Sequence, residues 1–453
     1  MAQRQQQSIA LARSIVADAQ RGESVEVCAG SAVRTEVRVH GGAVESLTVA
    51  ESMGVGVRVI RNGREGVAHA GSFDPDVVRS LLAEARDNAS FAQPDDRVGF
   101  AAPDGVDPVD IDPWDDRVGQ TSVDDKVDMA LALEAATRAA DPRVRGVRAS
   151  IYADTRAESA IVNSLGIDRW DRGSSVSMST SALLDDVGGG TRTGSAVDAA
   201  VAPEEIDTAA LAARAVERGV QLLGARRPLS GRPLVVLEPR FAATVLGIVA
   251  SMLSGERVVK GRTPFGDRLG SPVAAPTLTM FDEPTDPRSL GASAIDGEGL
   301  ACRRVPLVSA GVLDGFLHDS RSARGLGVVS TGSALRSVRG TPSPGFRSLN
   351  VAPGEGSLES LIGGIDDGLL VCSLQGLHSG VNAVSGDLSV GVEGVRIRNG
   401  ELADPIREAT LAGAIPRMLL DIVSVGADLE RQPSGAFVPS VVLDGLALGG
   451  DDD

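Results

Sequence analysis

Residues 25–71 read VEVCAGSAVRTEVRVHGGAVESLTVAESMGVGVRVIRNGREGVAHAG. Val33, Thr35, Val37 and Val39 alternate with charged residues, and Val55, Val57 and Val59 repeat the pattern. A period of two places every second side chain on one face of a sheet, so these segments are predicted to be half-buried strands. Gly41-Gly42 and Asn62-Gly63 fall between them, and both pairs accept the positive φ of tight hairpins. The stretch predicts an antiparallel sheet.

Before this sheet, Ile9, Ala12, Ile15, Val16 and Ala19 recur at helical spacing over residues 7–20. After it, Asp74-Pro75 opens a helix to about Ser90 that carries Val77, Val78, Leu81, Leu82 and Ala85 on one face. Residues 93–120, rich in Pro and Asp, show neither period and read as a linker after an N-terminal α+β domain of residues 1–92. A central α+β domain, residues 121–224, is predicted to start with a capping box at Ser122 and a helix to about Ala140. Strands at 145–153 and 158–163 pair most simply as a hairpin, with another strand at 173–184. A glycine loop at 188–190 and a helix over 203–223 complete it, so helix, strands and helix occur twice in succession.

The segment ARRPLSGR at 225–232 marks the start of a C-terminal domain, residues 225–453. A strand at 234–237 and a helix from Pro239 to Ser254 come first. Short apolar segments broken by Gly, Pro, Asp and Ser then predict a mostly β barrel or sandwich. A late helix over 411–423 and a strand at 440–443 are expected at its end. The fold class expected is α+β.

The chain has 453 residues, long enough for two or three cores, and carries 44 Lys+Arg against 61 Asp+Glu. A net charge of −17 repels a phosphate backbone, so nucleic acid is not an expected partner. No apolar run reaches the roughly 20 residues of a membrane helix, and the first segment lacks the pattern of a secretion signal. A cytoplasmic protein without membrane contact is expected. Cys28, Cys302 and Cys372 are far apart and are expected to be reduced and mostly buried.

The histidines, His40, His69, His318 and His378, are isolated, and no His-Glu-x-x-His or His-Glu-x-x-x-His occurs. His40 and His69 flank turns and are expected at the surface. His378 is followed by Ser379, Ser385 and Asp387, the residue types of a nucleophilic triad, yet without a strand-to-helix elbow they read as loop residues. Asp296 and Glu298 stand two apart, and His318-Asp319 would complete a set of metal ligands. Gly297 and Gly299 favour a solvated acidic turn there instead. The glycines at 188–190 lack the following Gly-Lys-Ser/Thr of a phosphate cradle. The residues alone leave two classes open: a noncatalytic binding or assembly subunit, and an autonomous hydrolase around Asp296, Glu298, His318 and Asp387.

Several long stretches carry a resemblance. They are VVLEPRFAATVLGIVASMLSGERVVKGRTPFGDRLG at 235–270, AIDGEG at 294–299 and VPLVSAGVLDGFLHDSRSARGLGVVSTGSALRS at 305–337. PSPGFRSLNVAPGEGSLESLI at 342–362, GVNAVSGDLSVGVEGVRIRNGELADPI at 380–406 and FVPSVVLDGLAL at 437–448 follow in order. Together they resemble the TldD/PmbA family, in its PmbA (TldE) branch, with a looser match in the N-terminal part. TldD-like members carry His-Glu-x-x-x-His on the first helix of the third domain. Gly247, Ile248 and Met252 stand at those positions here, and ERQPSGAFVP at 430–439 lacks the cysteine of that branch.

The resemblance implies a noncatalytic TldE/PmbA-like subunit of a cytoplasmic heterodimeric metalloprotease that processes unfolded peptides. The catalytic metal, zinc, would reside in a TldD-like partner, with no cofactor in this chain. Asn382, Gly386, Asp387 and Ser389 match the branch's Asn and Gly-Asp-x-Ser pattern, as a structural turn or as part of the cleft wall. His378 departs from the small residue expected before Gly-Val-Asn.

Overall fold

Both hairpin turns form as the sequence requires: Gly41, Gly42, Asn62 and Gly63 have φ of 65°, 78°, 53° and 69°. A computed structural model describes residues 2–187 and 189–451, so Gly188 of the glycine loop lies outside the described residues. Helix α1 (Ala2–Ala17) leads into strands β1 (Glu23–His40), β2 (Ala43–Arg61) and β3 (Arg64–Ala70), and α2 (Pro75–Phe91) closes the unit. The short α3 (Arg117–Gln120) and α4 (Val123–Ala139) precede β4 (Val144–Asn163), β5 (Asp168–Asp185) and β6 (Thr191–Ala200), and α5 (Thr208–Val220) closes a second unit. Caps fix the helix starts: the Asp74 carboxylate accepts from the Asp76 and Val77 amides, and Ser122 with Asp125 forms both halves of a capping box.

The six strands form one antiparallel sheet, β3-β2-β1-β4-β5-β6, so two three-stranded units join back to back along β1 and β4. The likeness of the units extends to their packing. A Cβ on Gly66 of β3 would lie 2.0 Å from the Ala85 carbonyl oxygen of α2, and one on Gly194 of β6 would lie 2.1 Å from that of Ala215 in α5. Each unit thus seats its closing helix on a glycine of its third strand. The linker is pinned across β5: the Ser174 amide donates to the Pro113 carbonyl, and the Arg172 guanidinium lies 5.0 Å from the Trp114 ring and 5.5 Å from Trp170.

Several expectations fail in this half. The segments 145–153 and 158–163 are not a hairpin but one strand, β4, because Asp154–Ala157 stays extended between β1 and β5. Asp154, between the two segments, is buried in mid-strand, 2.6 Å from the Lys126 ammonium. Strand β6 was not foreseen in its small, polar sequence. The helix expected over 203–223 is a 3-10 turn, Pro203–Glu205, followed by α5, which Asp207 caps through the Ala210 amide. The first helix ends at Ala17, short of residue 20.

The third part begins with β7 (Leu234–Leu237), α6 (Pro239–Met252) and α7 (Gly255–Val259). Next come β8 (Met280–Asp282), β9 (Val305–Ser309), β10 (Val312–Leu313), α8 (Ser320–Leu326), β11 (Ala334–Leu335), β12 (Ser343–Pro344) and β13 (Leu349–Val351). Helix α9 (Leu358–Gly363), β14 (Asp367–Gln375), α10 (Leu377–Gly380), β15 (Asp387–Arg398), β16 (Glu401–Ala414) and α11 (Ile415–Leu420) follow. The last strands are β17 (Ile422–Val425), β18 (Glu430–Arg431), β19 (Phe437–Val438), β20 (Val441–Leu443) and β21 (Ala447–Gly449). The helix expected over 411–423 is therefore the end of β16, the two-turn α11 and the start of β17, because Pro416 at the helix start and Asp421 after it confine the helix.

A seven-stranded sheet, β17-β20-β7-β14-β15-β16-β21, and a six-stranded one, β10-β9-β8-β13-β19-β18, share a single core. Val245, Leu246 and Val249 of α6 belong to it, with Leu237 and Val371 of the larger sheet and Met280, Leu307 and Leu349 of the smaller. The fold is mixed α+β. Among the described residues no helix is long and apolar enough to cross a membrane.

The third part docks on the N-terminal sheet through residues 336–338. A Cβ on Gly56 would lie 2.0 Å from the Val338 carbonyl oxygen, and one on Gly54 2.9 Å from its Cγ2. Beside this contact, Glu26 of β1 accepts from Arg58 at 2.6 Å and from Arg336, with the Glu26 side chain 0% and the Arg336 side chain 2% exposed. The two guanidiniums outweigh burial and hold the Glu26 carboxyl below its ordinary range.

Candidate functional site

Helix α6 leaves the centre of the larger sheet, where β7 runs parallel to β14 and antiparallel to β20. Pro239 at its first turn presets φ, and Ala242, Val245, Leu246, Val249 and Ala250 form its buried face. Gly247 and Ile248 are half-buried, whereas Met252 is fully buried in the core. A Cβ on Gly247 would stand 3.5 Å from Phe346 Cζ, an ordinary contact.

The hairpin β11–β12 borders this helix, and beside it opens a hollow of about 520 Å³. Ser251, Arg257, Lys260, Arg262, Pro344 and Phe346 are among its lining residues. Lys260 pairs with Glu256 at 2.5 Å. Arg257 and Arg262 were not singled out in the sequence, where nothing links residues near 260 to the hairpin at 335–346.

Asn382, Asp387 and Ser389 line a second hollow, an open one of about 760 Å³ between α10 and β15. Asn382 also builds the turn: its side-chain oxygen accepts from the Val384 amide at 2.9 Å, and its carbonyl accepts from the Gly386 amide. Gly386 is buried with φ 84°, and a Cβ there would lie 2.7 Å from Pro416 Cδ, so glycine is required twice over. Asn382, Gly386 and Asp387 thus build a turn, Ser389 lies in β15, and Asn382, Asp387 and Ser389 face the hollow. Ser385 donates to Asp387 at 2.6 Å, but His378, exposed on α10, makes no side-chain hydrogen bond among the described residues. The geometry of a nucleophilic triad is absent there.

Asp296 and Glu298 do form a turn, but not a solvated one: they are 1% and 2% exposed. The Asp296 carboxylate accepts from the amides of Glu298, Leu300 and Ala334, and Glu298 accepts from the Ser320 amide at 2.8 Å. Packing of the 332–336 segment over Gly297 removes water from the turn. Burial pushes both carboxyls up, and Glu298 is raised further by the charges of Asp296 and Asp319 beside it. His318 is buried against Gly255, its Nδ1 3.3 Å from Ser322 Oγ, and burial lowers its pKa. Asp319 accepts from the Ser322 amide as the cap of α8. These groups are spent on holding loops together, and among the described residues no three His, Cys, Asp or Glu side chains are arranged to hold a metal.

His40 and His69 are exposed, and the three cysteines are free and buried, with burial pushing the thiols of Cys302 and Cys372 up to about 12. Behind the hairpin, Asp282 of β8 accepts from the Arg347 and Ser348 amides, and burial raises its carboxyl to about 6. The folded chain therefore holds a proton there between about pH 4 and 6 that the unfolded chain releases, so stability falls as pH rises through this window. Asp282→Asn should flatten that slope by at most about 1.4 kcal/mol per pH unit. Denaturant midpoints at pH 4.5 and 6.5 for both proteins check it, and parallel curves would refute it.

The helix emerging from a central strand, the two sheets that share its core and the duplicated N-terminal sheet together make up a three-part α+β fold. Residues 25–89, 116–223 and 230–450 match the PmbA/TldA metallopeptidase domain 1, central domain and C-terminal domain, respectively. The chain belongs to the PmbA/TldD family. It is 26% identical over 438 residues to the metalloprotease PmbA of Escherichia coli O157:H7, covering 95% of this chain and 93% of the relative. The solved structure of a putative modulator of DNA gyrase from Thermotoga maritima is similar with a TM-score of 0.88 and 26% identity, over 99% of this chain and 100% of that one. TldE from Thermococcus kodakarensis shares the fold, with a TM-score of 0.87 and 24% identity over 98% and 99% of the two chains.

A metal is implied by the family's name, and the residues of α6 do not fit one. Gly247 has no side chain, Ile248 has no donor atom, and the Met252 thioether is turned into the core.

Proposed function

We propose that this chain is the noncatalytic, TldE/PmbA-like subunit of a two-subunit metalloprotease acting on unfolded peptides, its catalytic metal held by a TldD-like partner. One observation carries the reading: α6 keeps its place and packing between the two sheets while Gly247, Ile248 and Met252 offer no ligand. A subunit of this kind walls a cleft and presents strand edges and hollows to an extended chain. The buried, hydrogen-bonded state of Asp296 and Glu298 argues against the autonomous hydrolase.

The test is cleavage of flexible peptides by this chain, by a partner carrying His-Glu-x-x-x-His, and by their mixture, with metal analysis of each. Cleavage is expected only from the mixture, with metal in the partner alone. Full activity from the partner by itself, or turnover and stoichiometric metal in this chain alone, would overturn the proposal.

A further inference from the structure

We propose that the hollow between α6, α7 and the β11–β12 hairpin is a carboxylate-recognising subsite for an extended peptide, with Arg257 and Arg262 as its anion-binding groups. The inference rests on the peptide-handling reading above and specifies the chemistry of the peptide.

Charge is the first argument. Four exposed arginines of this acidic chain are neutralised by a carboxylate two residues earlier: Asp95 with Arg97, Asp115 with Arg117, Asp141 with Arg143 and Asp286 with Arg288. In the hollow, the only lining carboxylate, Glu256, is engaged by Lys260. Arg257 and Arg262 make no side-chain hydrogen bond or ion pair among the described residues. Two free guanidiniums facing one hollow leave an uncompensated positive field that favours an anion.

Shape is the second. Phe346 and Pro344 give the hollow an apolar wall, and about 520 Å³ is room for a short stretch of peptide. A carboxylate meets a guanidinium through two parallel hydrogen bonds, while the neighbouring peptide atoms lie on the ring. Position is the third: Ser251 of α6 lines the hollow one turn beyond Gly247, whose surface Phe346 touches. A peptide running along the outer face of α6 would enter it. Its carboxylate comes either from an acidic side chain or from a free C-terminus.

Fluorescence anisotropy with the full chain tests this using three labelled twelve-residue peptides. One has acidic side chains and an amidated end, one has neutral side chains and a free end, and one is neutral and amidated. At least one of the first two should bind ten times or more tighter than the third, and which one identifies the source of the carboxylate. Arg257→Gln with Arg262→Gln should remove that difference, whereas Arg145→Gln with Arg148→Gln, equal in charge and remote, should keep it. Arg262→Glu alone, with an unchanged denaturant midpoint, guards against misfolding.

Equal binding of all three peptides, equal losses in both double variants, or displacement by millimolar inorganic phosphate as effective as by unlabelled peptide would overturn the subsite. The two proposals fail separately. A mixture with the partner that cleaves neutral and acidic peptides equally, unaffected by the arginine changes, removes the subsite alone. A mixture that cleaves nothing removes the two-subunit reading, while the anisotropy result still judges the subsite.

Discussion

Glu26→Ala should lower the unfolding free energy by about 3–5 kcal/mol, because it strands Arg336 as an unpaired buried charge and takes from Arg58 one of its two carboxylates. The Arg58 and Arg336 side chains are 5% and 2% exposed, so water does not replace the lost carboxylate. Arg58 retains Glu65 at 2.6 Å, whereas Arg336 has no second ion-pair partner among the described residues. The damage should therefore concentrate where the third part meets the N-terminal sheet. Glu45→Ala is the control: its pair with Arg38 is solvent-exposed, and such pairs contribute about 1 kcal/mol or less. Denaturant midpoints, together with proteolysis of the 336–340 segment, check the prediction, and a loss equal to that of the control would refute it.

Gly66→Ala and Gly194→Ala should each cost about 3 kcal/mol, at the upper end for overpacking, since the new methyl group meets backbone that has nowhere to go. At Gly66 it would stand 2.0 Å from the Ala85 oxygen and 2.2 Å from the Ala89 nitrogen. At Gly194 the corresponding atoms are the Ala215 oxygen at 2.1 Å and the Gly219 nitrogen at 2.3 Å. The sites lie on opposite edge strands and share no partner, so the double variant should lose the sum. Gly146→Ala, with nothing within 4 Å of the added atom, should be near neutral. Thermal and denaturant unfolding of the four variants decide it, and a neutral Gly194→Ala would refute the seating of α5 on that glycine.

What the sequence disclosed follows the range of the interactions involved. Turns and caps are local, so Gly41-Gly42, Asn62-Gly63, Asp74 and Ser122 could be read directly. Strand β4 could not, because Asp154 in its middle reads as a breaker until Lys126 arrives from another helix. Strand β6 is hidden by alanine, glycine and serine, whose place in a sheet comes from pairing with β5. The lack of metal ligands at Gly247, Ile248 and Met252 is a matter of residue identity and needed no structure. The burial of Asp296 and Glu298 did need one, since the segment that covers them lies more than thirty residues away. Gly30, Gly54 and Gly56 carried an unread signal: glycines inside strands mark a close neighbour, here the Val338 backbone over Gly56 and the Val338 side chain over Gly54 and Gly30.

The seam between β1 and β4 also bears on the order of events in folding. Each three-stranded unit closes through short turns, and its contacts are local in sequence. The seam pairs Glu26 with Asn163, across the whole linker and α4, and a large loop must close before any of its hydrogen bonds form. The units should therefore assemble early and the seam late, with the N-terminal unit emerging first from the ribosome. Until β4 is synthesised, β1 presents an unpaired edge as long as the finished strand, which makes this interval the one most open to aggregation.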